Sequence, residues 1–144
     1  MPCDFQRYLA WLYSKKLSAA SNELWDQAMY ATIDLYILAD VLDDIHLRNA
    51  AIELLFTLDN SKGLPSFCVV EKMWMQTPAT SFLRKLYVQK FAIHVEAEYF
   101  EEMKDQFPME FVQNIAVAAL RYRDDNRGFV LELESFLELV PEDD

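Results

Sequence analysis

The chain has 144 residues, of which 53% are hydrophobic and 14% aromatic, and it carries a formal net charge of −11 with only two glycines. A chain of this length fits one domain, and its apolar content can fill a core, which argues against intrinsic disorder. Two glycines are too few for hairpin turns and phosphate-binding loops, so the composition favours an all-α fold. The acidic charge argues against nucleic acids and anionic membrane surfaces as partners.

The two cysteines, Cys3 and Cys68, do not form a disulfide framework and lack the spacing of metal ligands. The first residues include Asp4 and Arg7 and have no long apolar run, so they predict neither a secretory signal nor a membrane span. We therefore expect an intracellular protein, in the cytoplasm or the nucleus.

In chain order, a first helix is expected over residues 5–17 and a longer one over residues 23–42. The second half of the longer helix carries only one charge, Asp40, so we expect that half to be enclosed on all sides. Asp40 is interpreted as structural, accepting hydrogen bonds from a nearby turn or pairing with Arg48 or Arg84, although a binding role stays open.

A second helix follows the Asp43–Asp44 pair, and one of these aspartates, favoured to be Asp44, is expected to cap it. Apolar residues then recur at helical spacing, with Arg48, Asn49 and Glu53 expected to face water. Together the two helices predict a tight helical hairpin. The apolar stripe of the second helix comprises Leu47, Ala50, Ala51, Leu54, Leu55 and Leu58.

Beyond a turn at residues 61–65, further helices are expected from "SFCVVEKMWMQ", from the face marked by Leu83 and Phe91, from "AEYFEEMKDQF", and after Pro108. Residues 129–140 fit a helix better than a strand, and residues 141–144 form an acidic tail. The sequence thus predicts a compact single domain of about seven helices built around the central hairpin. Its parts are residues 1–60, residues 64–140 and the tail, with the turn at 61–65 as the only candidate seam.

No pattern of catalytic residues stands out. His46 and His94 have no partner at metal-ligand spacing, and nucleophile and dinucleotide motifs are missing from the sequence. We expect no enzymatic activity, no metal and no cofactor. One further feature is a run of three consecutive large apolar residues, Met73, Trp74 and Met75. A helix cannot bury all three side chains in one direction. They are candidates either for core packing or for a patch that binds another protein.

Several segments, taken in order, resemble the C-terminal helices of BTB/POZ domains of the type abundant in filamentous fungi. They are "FQRYLAWLYSKKL", "LYILADVLDDIHLRNAAIELL", "TPATSFLRKL" with Thr77, Ser81, Leu83 and Arg84, and "QFPMEFVQNI". The resemblance implies an adaptor that works through protein contacts. It does not extend to BTB-type dimerisation or cullin binding, because the family's N-terminal strands and first helices have no counterpart here.

We therefore expect a non-enzymatic protein–protein interaction module, with Met73, Trp74 and Met75 as candidate partner-binding residues. The alternative is a helical carrier whose core encloses a small apolar ligand.

Overall fold

The computed structural model describes residues 25–57, 64–125 and 132–141. These residues contain six α-helices, two 3-10 turns and no strand, so the predicted all-α class is confirmed for the described chain. The helix expected over residues 5–17 lies outside the described residues. The helices are α1 (Trp25–Val41), α2 (Ile45–Thr57), α3 (Phe67–Gln76), α4 (Phe82–His94), α5 (Ala97–Met103) and α6 (Met109–Asp125), and the 3-10 turns are Lys104–Gln106 and Leu133–Phe136.

The chain divides into two compact units. The first comprises Met1–Asp59 together with Leu137–Asp144, and the second comprises Asn60–Phe136. The boundary at residue 60 falls beside the expected seam at residues 61–65. The single-domain organisation expected from the sequence stays a prediction.

The first unit contains the predicted hairpin of α1 and α2. Asp43 turns the chain with a φ of 52°, a left-handed conformation that aspartate tolerates. Asp44 then caps α2, because its Oδ1 accepts a hydrogen bond of 3.1 Å from the backbone N–H of Leu47. Leu35, Ala39 and Leu47 form a fully buried core cluster between the two helices. The hairpin and its Asp44 cap are therefore confirmed.

Two expectations about this hairpin are wrong. The second half of α1 is not enclosed to its end, since Val41 is 78% exposed and Leu42 47% exposed. Both follow the last buried residue, Ala39, and lie where the helix gives way to the turn. Arg48 was expected to face water, but it is buried. Its charge is compensated by acidic residues, including one ninety positions away in sequence.

In the second unit, α4 and α6 pack against each other. Leu83 and Phe91, which mark the expected apolar face of α4, are buried together with Leu86 and Tyr87. The helix expected after Pro108 is α6, and it buries Phe111, Ile115 and Ala118. Phe91 lies edge-to-face with Phe111, with ring centroids 4.9 Å apart, and with Phe107, with centroids 5.5 Å apart. These aromatic contacts fix α6 on α4.

Arg84 joins α3 to α4. Its guanidinium donates to the backbone carbonyls of Trp74 and Thr77, and its Nε donates to Oγ1 of Thr77 over 3.0 Å. A cation at the C-terminal end of α3 is favourable, because the free carbonyls there carry the negative end of the helix dipole. Ser81 starts α4 by accepting the N–H of Leu83.

The helix expected over residues 129–140 is wrong in its described part. Only Leu133–Phe136 form a 3-10 turn, and residues 137–141 have no regular structure. The backbone of Glu138 is held by the Asn49 side chain, with N–H to Oδ1 at 2.8 Å and Nδ2 to the carbonyl at 2.9 Å. These bonds satisfy the peptide groups that a helix would otherwise pair internally.

Candidate functional site

The structure separates the three candidate partner-binding residues of α3. Met73 is fully buried, Trp74 is half-buried, and Met75 is 78% exposed. The alternation follows from helix geometry, because consecutive side chains point about 100° apart around the axis. Met73 therefore belongs to the core, and a surface in this region is formed by Trp74 and Met75 alone.

Trp74 is held between a cation and an aromatic ring. The Arg84 guanidinium carbon lies 4.5 Å from the Trp74 ring centroid, and the Phe111 ring meets it edge-on at 5.0 Å. The indole Nε1 is buried and has no hydrogen-bond partner among the described residues. A buried donor without an acceptor costs about 1–3 kcal/mol, so such groups are rare in folded proteins and call for an explanation.

Trp74 and Met75 line a surface pocket of about 410 Å³, here called the Trp74 pocket. The opposite wall is the segment Gln106–Phe107–Pro108, which leads into α6. Glu71 contributes the only charged side chain of the lining. Met109, the residue after Pro108, is a second highly exposed methionine. The pocket is thus apolar, with an acidic edge and flexible methionine side chains around it.

The side chains that line the Trp74 pocket can make apolar contacts with a ligand. Methionine adapts its shape to an apolar surface, and tryptophan buries a large area while offering one hydrogen-bond donor. No group of three or more His, Cys, Asp or Glu side chains within the described ranges is placed to hold a metal ion. Both histidines, His46 and His94, are exposed.

Sequence reasoning missed a polar cluster in the described part of the first unit, here called the Arg48 clamp. The Nε of Arg48 donates to Oε2 of Glu138 over 2.6 Å, and an NH2 group donates to Oε1 over 3.0 Å. NH1 lies 3.4 Å from the Asp43 carboxylate and 4.0 Å from that of Asp40, and it bonds to the Ala39 carbonyl. The hydrogen bonds that the Glu138 carboxylate accepts from the guanidinium raise the pKa of Arg48. This cluster is structural, and the expected pairing of Asp40 with Arg48 exists as a long contact within it.

None of the helices in the described ranges combines the length and the apolar character needed to cross a membrane. No family model, no curated protein and no solved structure matches the chain.

Proposed function

We propose that the protein is a non-enzymatic interaction module that binds another protein through the Trp74 pocket. The observation that carries this proposal is the combination, on one surface, of an exposed Met75 and a half-buried Trp74 whose indole N–H has no partner among the described residues. Aromatic and methionine side chains are enriched where protein interfaces gain most of their binding energy.

The partner would insert an apolar side chain between Met75 and the Phe107–Pro108 wall. Because the Trp74 Nε1 is buried, the ring would have to shift against Arg84 and Phe111 before a carbonyl oxygen of the partner could accept its N–H. Such a bond would remove the cost of a buried donor without an acceptor. Burial of Met75 would add about 25 cal/mol for each Å² of apolar area removed from water.

The resemblance to the helices of BTB/POZ adaptors belongs to this proposal and rests on sequence motifs. Three of those motif residues have local roles that account for their type: Thr77 and Arg84 join α3 to α4, and Ser81 caps α4. We propose the interaction role from the pocket, therefore, and not from these residues.

The test is affinity capture from a native extract with three forms of the protein. Met75→Gln removes the exposed apolar contact, and Val41→Gln is the matched control because Val41 is equally exposed but lies in the other unit. Capture of the partner should fall roughly tenfold with Met75→Gln, as expected for a central interface residue, and stay unchanged with Val41→Gln.

Equal capture by all three forms would contradict the proposal. Native mass spectrometry of the purified chain addresses the competing carrier function, since a retained small molecule would favour an enclosed apolar ligand over a protein partner.

A further inference from the structure

We propose that a second site, the cleft between α4 and α6, binds an acidic segment of a partner protein. The cleft has a volume of about 480 Å³, enough for a few residues of an extended peptide. Each helix contributes residues that share one face at helical spacing. These include Arg84, Lys85 and Gln89 from α4 and Asn114, Val117 and Arg121 from α6.

The charge of the cleft is opposite to that of the molecule. Three basic side chains line it, and none of its described lining residues is acidic, although the chain has 24 acidic residues and 13 lysines and arginines. At physiological ionic strength charges are screened over about 8 Å, so the nearby cations and not the net charge decide which ligand the cleft favours.

Two of the three cations have no ion pair with the carboxylate of any residue that the structure describes. Arg121 is exposed and has no hydrogen bond or ion pair with any described residue. The Nζ of Lys85 donates to the Ser135 carbonyl over 3.0 Å and lies 5.7 Å from the ring centroids of Phe82 and Phe136. These neutral partners orient the ammonium group without cancelling its charge.

The third cation is fixed in place. Two carbonyls and a hydroxyl hold Arg84, and its NH1 lies 3.9 Å from Glu110, beyond hydrogen-bond distance. The guanidinium is therefore an ordered positive group in the lining of the cleft, and it loses little conformational freedom when a ligand binds.

Several features favour a carboxylate-bearing peptide over a phosphate group. The Arg121 guanidinium, which pairs with no described residue, can hold one carboxylate or one phosphate group in a two-point contact, so the preference depends on the other residues of the cleft. The Oε1 of Gln89 already accepts a hydrogen bond from the Tyr122 hydroxyl, but its amide N–H groups and the side chain of Asn114 suit the polar atoms of a peptide backbone. The exposed Val117 suits an apolar side chain of the peptide. A long polyanion such as RNA would instead meet the strongly acidic remainder of the protein.

The test measures the binding of fluorescein-labelled short peptides to the full chain by fluorescence anisotropy. Three peptide pools have the same randomised, non-acidic flanking residues and differ only at the central position. This position is Glu in the first pool, Gln in the second and phosphoserine in the third. Arg121→Gln removes the free cation. Arg123→Gln is the matched control, because Arg123 is exposed on the same helix but pairs with Asp124 and does not line the cleft.

The Glu pool should bind more tightly than the Gln pool, and Arg121→Gln should weaken it roughly tenfold, the effect of one charge-assisted hydrogen bond. Arg123→Gln should change binding less than twofold. The proposal is overturned if the Glu pool binds no better than the Gln pool, if both variants have the same effect, or if the phosphoserine pool binds far more tightly. Met75→Gln should not alter peptide binding. A negative result for the cleft therefore leaves the proposed role of the Trp74 pocket untouched, and the reverse also holds.

Discussion

The Arg48 clamp gives the sharpest prediction of stability. The side chains of Arg48 and Glu138 are 9% and 21% exposed, and two short hydrogen bonds join them. Glu138→Gln removes the negative charge and one of the two acceptor oxygens, so the buried guanidinium keeps at most one of these hydrogen bonds beside its longer contacts to Asp40, Asp43 and the Ala39 carbonyl. Removing one partner of a fully buried pair costs about 3–5 kcal/mol, and these remaining partners together with the partial exposure of Glu138 lower our expectation to about 2–3 kcal/mol.

A double-mutant cycle isolates the pair. Arg48→Met removes the cation but keeps most of the apolar part of the side chain. It leaves the Glu138 carboxylate without its cationic partner, and the loss of stability should be similar to that of Glu138→Gln. The double variant should be about as unstable as either single variant, not twice as unstable, so the coupling free energy should be about 2 kcal/mol. The free energies of unfolding come from urea denaturation followed by circular dichroism, with hydrogen exchange of the α2 amides as a local readout.

A coupling free energy below about 0.5 kcal/mol would refute this reasoning, because that is the strength of an exposed ion pair. Asn49→Ala serves as a comparison within the same contact. It removes the two hydrogen bonds to the Glu138 backbone without leaving a buried charge, so its cost should be smaller than that of Glu138→Gln.

Two further predictions concern buried side chains. Burial lowers the pKa of Lys90 from 10.5 to about 8, so between these values the unfolded chain binds a proton that the folded chain has lost, and stability rises as the pH increases through that range. Lys90→Met should therefore raise the free energy of unfolding at pH 7 by about 1–3 kcal/mol and abolish the increase in stability with pH. A lower free energy of unfolding for the variant, measured in urea at pH 7, would contradict this prediction. In α2, Leu55 is fully buried and Leu54 only half-buried, so Leu55→Ala should cost about 2–5 kcal/mol and Leu54→Ala clearly less; equal losses in thermal unfolding would contradict this placement.

Local patterns in the sequence predicted much of the fold. The hairpin of α1 and α2, the Asp44 cap and the buried faces of α4 and α6 all follow from spacing within one or two helical turns. Such patterns repeat over a few residues and need no knowledge of distant partners. They also indicated why Met73, Trp74 and Met75 require different environments, because the three residues are consecutive on a helix.

Two of the wrong expectations, the exposure of Arg48 and the helix over residues 129–140, have one physical cause, which is contact between distant parts of the sequence. Arginine is usually found at protein surfaces. Arg48 is buried because it forms an ion pair with Glu138, a residue distant in sequence. Residues 132–141 have apolar spacing typical of a helix, but Asn49 takes the backbone bonds that a helix needs. The Trp74 pocket depends on the segment before α6, more than thirty positions from α3, so its shape was also beyond local reasoning.

The Arg48 clamp also has an evolutionary consequence. Its two partners lie 90 positions apart, and once one of them is lost the loss of the other should add little further cost. A chain that has lost one partner is therefore under little selection to keep the other. Among homologous chains these two columns should vary together, with neutral residues appearing at both or at neither.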